Sequence, residues 1–366
     1  MTYGIEIYKN STTVNLDQTM PGGRLFVQRI IQPEGTTGSY TFTSVPSGDD
    51  LIIYTAAAGF HSIAPGTSGG SATLTLGLIT KPSLSNYVSN TDLLIFATNS
   101  KEPNYGIETT NNTGQRIIST VLPCPIFLGS VVPSLTATVS LTGGAIGGWP
   151  YFYRHDYTGT VSSSETNGNR MVLWALPNDT GNNVWYTGSS IISPTVSNTI
   201  NMSILSNSAT PPACPRGYIF ELDNIQDSTD SYGIRIYNNS GNVTFDSGYS
   251  HLNIVGINSN VFYTSPILDA SMNTVPVTVN TFNISAYSGL STPISFIPAY
   301  YLEEAIPIPS VAASKVFSLE GWVRRETTNL KLATIGSFYQ EDSQQTWFYE
   351  LGGYNQVAVT VDGTKY

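Results

Sequence analysis

A fifteen-residue segment that occurs twice without a gap constrains this chain more than any other feature. Tyr3-Gly-Ile-Glu-Ile-Tyr-Lys-Asn-Ser-Thr-Thr-Val-Asn-Leu-Asp17 lies over Tyr232-Gly-Ile-Arg-Ile-Tyr-Asn-Asn-Ser-Gly-Asn-Val-Thr-Phe-Asp246, and nine of the fifteen positions are identical. A more diverged copy opens with Tyr105, Gly106 and Ile107, keeps Asn111, Asn112 and Gly114, and has Ser119 where the other two close on Asp. Recurrence of this kind marks a chain built from repeated structural units rather than from one large core. Each copy reads as a β-hairpin, because alternation runs through residues 3–8, a turn-forming stretch follows at 10–13 or 239–242, and alternation resumes. Alternation places Tyr3, Ile5 and Ile7 on one face and Gly4, Glu6 and Tyr8 on the other. Tyr3, Ile5 and Val14 are therefore expected in a core, and with them Tyr232 and Ile234. The variable position, Glu6 against Arg235, is expected to face solvent.

The residues ahead of the later copies match as well. Asp92-Leu-Leu-Ile-Phe-Ala97 precedes a polar link at 98–104, and Gly217-Tyr-Ile-Phe-Glu-Leu222 precedes another at 223–231, so each unit closes on an apolar strand. A third closing strand at 294–301 leads through Glu303-Glu304 into Ile306-Pro-Ile-Pro309, where proline enforces extended chain. The segmentation is three β-modules at 1–98, 105–224 and 231–303, followed by a C-terminal β element at 311–366. That element is small for a free-standing sandwich and is expected to pack on module three or on another subunit. Composition points to the same fold class. Charged residues make up 11% of the chain, against about 25% in ordinary soluble domains. Hydrophobic residues still reach 40%, enough to fill cores, while the Ser, Thr, Asn and Gly remainder suits strands and tight reversals. The expected fold is all-β, with tandem β-sandwich-like modules plus a small C-terminal β element.

A formal charge of −10 argues against a nucleic-acid partner, which requires a basic footprint. No apolar run approaches the roughly 18 residues of a membrane span, since the longest, at 51–60, is interrupted by Thr55; no membrane insertion is expected. Cys124 and Cys214 sit at a separation that fits no metal or redox motif, and both read as small buried apolar residues. His61, His155 and His251 fall in separate segments, so neither a metal site nor a His-based triad is expected. His155-Asp156, beside Tyr151, Tyr153 and Arg154, is the one juxtaposition of imidazole, carboxylate and aromatics, and it reads as a loop or strand end. Asp223, Asp227 and Asp230 read as a polar linker rather than a Ca²⁺ site. Gly143-Gly144 and Gly147-Gly148 lack the Lys-Ser/Thr of a phosphate-binding loop. No carboxylate pair stands in a motif suited to glycoside cleavage. The chain is expected to be non-enzymatic, with no catalytic, cofactor or metal residues.

The aromatic clusters carry more weight. Tyr151-Phe152-Tyr153, Trp185-Tyr186 and Trp347-Phe348-Tyr349 contain adjacent rings, which on a strand point to opposite faces. One ring of each pair lies outside its neighbour's core, and Tyr151, Tyr153, Trp185, Tyr186, Trp347 and Tyr349 are the candidates for a subunit interface, a second core or a glycan platform.

A strand opening Tyr-Gly-Ile, a turn of the Asn-x-Ser/Thr-Gly type and a closing Asp, in a chain rich in Ser, Thr, Asn and Tyr, resembles a β-rich module of tailed-bacteriophage structural proteins. The residues that carry the resemblance are Tyr3-Gly4-Ile5 with Asp17, Tyr105-Gly106-Ile107 with Gly114, and Tyr232-Gly233-Ile234 with Gly241 and Asp246; Thr12 stands where the first copy would need its turn glycine. The resemblance implies a virion component of the tail, baseplate or fibre assembly, contacting other virion proteins and forming a homo-oligomer. Strand-like residues follow Met1 at once, so no secretory leader is expected, and the implied location is the virion, assembled in the host cytoplasm and released by lysis. The alternative is a carbohydrate-binding receptor-recognition protein or adhesin, whose partner would be a host surface glycan.

Overall fold

The computed structural model describes residues 4–9, 12–17, 25–57, 61–78, 90–102, 109–110, 113–140, 153–161, 168–178, 184–192, 198–229, 233–252, 254–264, 279–283, 316–326, 329–339 and 351–361. Among the described residues the regular structure is all strand, apart from a 3₁₀ turn at Gly48–Asp50.

The chain alternates hairpins with sandwiches. Hairpin one pairs β1 (Gly4–Lys9) with β2 (Thr12–Asp17). Six strands follow: β3 (Leu25–Gln32), β4 (Gly38–Phe42), β5 (Leu51–Ala57), β6 (His61–Ser68), β7 (Ser71–Leu78) and β8 (Thr91–Ala97). They form two antiparallel sheets, ordered β3-β8-β5 and β4-β7-β6. Hairpin two is β9 (Thr109–Thr110) with β10 (Arg116–Ile118). The second sandwich uses β11 (Ile126–Val131), β12 (Ser134–Ser140), β13 (Tyr153–Thr160), β14 (Arg170–Ala175), β15 (Trp185–Gly188), β16 (Ile191–Ile192), β17 (Thr199–Ser206) and β18 (Arg216–Glu221). One of its sheets runs β11-β18-β14-β16 and the other begins β12-β13-β17-β15. Hairpin three is β19 (Arg235–Tyr237) with β20 (Val243–Asp246). The remaining strands are β21 (Ile254–Thr264), β22 (Val279–Asn283), β23 (Val316–Glu326), β24 (Asn329–Tyr339) and β25 (Leu351–Val361).

The two sandwiches share their wiring. In each, the last strand lies between the first and a middle strand: β8 between β3 and β5, β18 between β11 and β14. These are the strands that close on apolar runs, and the reason is burial on both faces. Leu93, Ile95 and Ala97 of β8 enter the core of the first sandwich, while Leu94 and Phe96 point the other way. There they meet Met171, Leu173, Tyr218 and Phe220 of the second sandwich, with Phe26 edge-on to Phe96 at 5.6 Å. Val172, Trp174 and Ile219 then face Tyr157, Tyr186, Ile200, Met202 and Ile204 in the second sandwich's own core. Four sheets thus stack with three apolar layers between them, each fully buried large side chain contributing about 1.5–3 kcal/mol.

Part of the C-terminal element completes this stack. β25 pairs with β21, as packing on module three requires, and their partners Val361 and Ile254 are buried in the middle layer. β23, however, joins β15 at Tyr186 opposite Val323, extending the outer sheet of the second sandwich to seven strands. The sequence did not point to that junction.

Candidate functional site

Hairpins two and three are equivalent in detail. Thr110 opposes Arg116 and Thr109 opposes Ile118; at the same motif positions Tyr237 opposes Val243 and Ile236 opposes Phe245. Both accommodate one extra residue on the second strand, Ile117 or Thr244, and both turn through a glycine at positive φ, Gly114 at 79° and Gly241 at 81°. The Asn238 side chain closes the second turn by accepting from the N–H groups of Ser240 (3.0 Å) and Asn242 (2.9 Å). Hairpin one has Thr12 at the glycine position, where a β-branched residue resists positive φ. Its ladder runs on to Lys9 opposite Thr12, so that Ile7 opposes Val14 where the equivalent Ile236 opposes Phe245.

Two sequence expectations are corrected here. Ile234 is 38% exposed, whereas Ile236 is 8% exposed and sits with Phe245 in the core of the first sandwich. Arg235, expected in solvent, is half-buried, its Nε 2.8 Å from Asp246 Oδ2. Ile234 lies ahead of the strand, which begins at Arg235 where Asp246 faces it, and Gly233 before it has a φ of 141°. The glycine has a reason of its own: a Cβ there would lie 2.4 Å from Ser247 Oγ, the atom that accepts from Ile234 N–H at 2.8 Å.

The closing Asp is the base of the hairpin. Asp246 is 2% exposed and accepts from Ser228 N (2.8 Å), Ser228 Oγ (3.0 Å) and Gly248 N (2.7 Å) besides Arg235. Burial alone would raise its pKa, but these donors together hold the carboxyl below the ordinary range. In hairpin two the same position is Ser119, whose Oγ accepts from Val121 N (3.0 Å) and Leu122 N (2.9 Å). The carboxylate has moved to the linker: Glu102 accepts from the hydroxyls of Ser100, Ser119 and Thr120 and from Thr120 N at 2.9 Å. It too is held below its ordinary range, burial opposing and the hydrogen bonds prevailing. A carboxyl kept ionised in this way cannot donate a proton near neutral pH. The chemistry of both clusters is that of linker capping.

The segment after hairpin two is stitched into the rest of the molecule. Cys124 N donates to Thr244 O (2.8 Å), Phe127 N to Ser250 O (2.7 Å), Leu252 N to Pro125 O (2.9 Å) and Phe26 N to Pro123 O (3.0 Å). Cys124 is buried, its Sγ donating to Ile117 O at 3.4 Å, and Cys214 is half-buried; neither forms a disulfide.

Of the candidate aromatics, Tyr153, Trp185 and Tyr186 fall among the described residues. Trp185 and Tyr186 are 6% and 3% exposed, so neither offers a ring face to a ligand. They do point to opposite faces, Tyr186 into the second sandwich's core and Trp185 away from it beside Leu205. Tyr153 is half-buried and stacks on His155, with ring centroids 6.3 Å apart. Tyr151, Trp347 and Tyr349 lie outside the described residues, as do Asp230, the paired glycines at 143–148 and Glu303-Glu304.

His155 and Asp156 lie within β13 rather than at its end, and alternation separates them. His155 is fully buried, with Nδ1 3.0 Å from Thr138 Oγ1 and Nε2 3.0 Å from Ser206 Oγ. Asp156 accepts on the opposite face from Arg154 Nε (2.9 Å) and the Ser203 hydroxyl. His61 is buried between Thr91 Oγ1 and Thr36 O, both at 2.8 Å, and His251 stacks on Phe245 at 4.4 Å. Asp223 binds Asn169 and Asp227 accepts from Tyr237 Oη, so the two do not share a site. Among the described residues no group of three or more His, Cys, Asp or Glu is placed to hold a metal ion.

What the second sandwich does present is an open side. β11 and β12 are both edge strands there, and Leu128, Val132, Leu135 and Val139 are exposed along them. The signal was available in the sequence, because no charged residue occurs between Arg116 and Arg154. No protein family, curated protein or solved structure matches this chain.

Proposed function

We propose that this chain is a non-enzymatic structural component of a tailed-bacteriophage particle, in the tail, baseplate or fibre assembly, acting through contacts with other virion proteins and with copies of itself. The observation that carries the reading is the use to which the repeat is put. Hairpins two and three insert Ile117, Ile118, Ile236 and Phe245 into the core of the first sandwich, while Glu102 and Asp246 are consumed in capping the linkers. A repeated unit spent on architecture, with no metal cluster grouped around it among the described residues, supports a scaffold. The charge-poor composition and the resemblance of the Tyr-Gly-Ile hairpins to phage modules support the same conclusion. The adhesin alternative is weakened by the burial of Trp185 and Tyr186, since stacking on a sugar requires an open ring face.

Deleting the gene from the phage separates these readings. A structural component leaves lysates without complete particles. An adhesin leaves complete particles that fail to adsorb, and a depolymerase leaves complete particles that adsorb but no longer release saccharide; either result refutes the proposal.

A further inference from the structure

We infer that β12 is a seam through which two copies of this chain pair antiparallel, edge to edge, into one continuous sheet. The inference rests on the assembly reading for its setting, but its geometry comes from the strand alone. β12 stands first in the seven-strand order, hydrogen-bonded on one side to β13, and all seven of its residues are exposed. Its outward row of N–H and C=O groups therefore faces solvent. Natural sheets blunt such edges with charge, proline, bulges or short length, because an open edge templates another strand. Two other edges of this protein carry those devices, β6 with Pro65 and β3 with Arg29 paired with Asp92. β12 reads Ser-Leu-Thr-Ala-Thr-Val-Ser, with neither charge nor proline. Its bulge is closed locally, Thr136 Oγ1 donating to Asp156 O at 2.9 Å, and residues 137–140 beyond it pair regularly with β13.

Charge and register identify the occupant as a second copy. Two chains of formal charge −10 repel, and they meet at least cost along a strip that places no charge against charge. A strand built for a differently charged partner would carry complementary charges, which raise both rate and specificity of docking. A two-fold axis at Thr138 also matches faces. Ala137 and Val139 lie on the Asp156 and Arg154 side of the sheet, and Thr138 lies on the His155 side. Pairing about that axis sets Thr138 against Thr138 and Ala137 against Val139, a threonine pair and an apolar pair of the kinds that stabilise antiparallel strands.

The test uses the full chain and sedimentation velocity over a range of concentrations, with hydrogen exchange of the β12 amides as a second readout. The wild type is expected to pass from monomer to dimer as concentration rises, with β12 amides becoming protected. Ala137→Lys and Val139→Glu are each expected to abolish the dimer while leaving the far-UV spectrum and Tm unchanged, because both positions are exposed. Mixing the two variants is expected to restore pairing, since the introduced lysine then opposes the introduced glutamate. A wild type that stays monomeric, an Ala137→Lys chain that pairs like the wild type, or a mixture that fails to pair overturns the seam. None of these outcomes bears on the assembly reading, which the gene deletion tests separately.

Discussion

The exchange of roles between Ile234 and Ile236 gives the sharpest test of how the repeated hairpin is built. Ile236→Ala removes three carbons, worth about 0.8 kcal/mol each when buried, so transfer alone costs about 2 kcal/mol at a site this enclosed. A residual cavity brings the usual range for such truncations to about 2–5 kcal/mol. The neighbours that would have to collapse into it include Phe245, Leu122 and Cys124, which belong to different segments of a core shared with the first sandwich. Little relaxation is expected, which favours the upper half of that range. Ile234→Ala, at a residue 38% exposed, is expected to cost under about 1 kcal/mol. Urea unfolding of the full chain, followed by circular dichroism with the slope held as a check on the reference state, measures both. Equal costs, or a larger cost at Ile234, would refute the claim that Ile234 stands outside the core and that strand β19 starts one residue after it.

Three further outcomes follow from the same geometry. Asp246 and Glu102 have pKa values depressed in the folded chain, so the stability they contribute is present above the ordinary carboxylate values and lost as pH falls through the folded ones. Tm measured from neutral pH downward should drop on the acid side, and Asp246→Asn or Glu102→Gln should flatten that drop. Gly241→Ala and Gly114→Ala meet no neighbouring atom within 4 Å but must hold positive φ, and each is expected to cost about 1–2 kcal/mol; Gly→Asn at the same sites should cost less in the same unfolding assay. Burial pushes the Cys214 thiol up to about 12, so iodoacetamide at mildly alkaline pH should label it slowly in the native chain and rapidly in denaturant, where both cysteines react.

The sequence made the hairpins and the closing strands readable, because both are local. Gly114 and Gly241 announce their turns, and the runs Leu93-Leu-Ile-Phe-Ala97 and Tyr218-Ile-Phe220 announce strands buried on two faces. The stacking of one sandwich on the other was implicit in those runs, since a strand apolar on both sides needs a second sheet to cover it. What could not be read locally was any fact that depends on which atoms meet across the fold. Gly233 is needed because Ser247 lies beside it, and Arg235 is held because Asp246 faces it from the paired strand. The shift of the carboxylate from strand end to linker is visible in the sequence only as the loss of an Asp at Ser119 and an unexplained Glu102. The adjacent rings of Trp185 and Tyr186 point to opposite faces, as alternation along a strand requires; that both are covered within the chain follows from packing around β15 and not from the dipeptide.

Whether the chain is built into the virion is measured by quantitative mass spectrometry of phage particles banded to constant density. A structural component of the particle is recovered in the particle band at a fixed ratio to the tail-tube subunit, and the ratio survives a salt wash. Recovery of the chain only in the soluble fraction, or at a ratio that varies from one preparation to the next, would contradict that role.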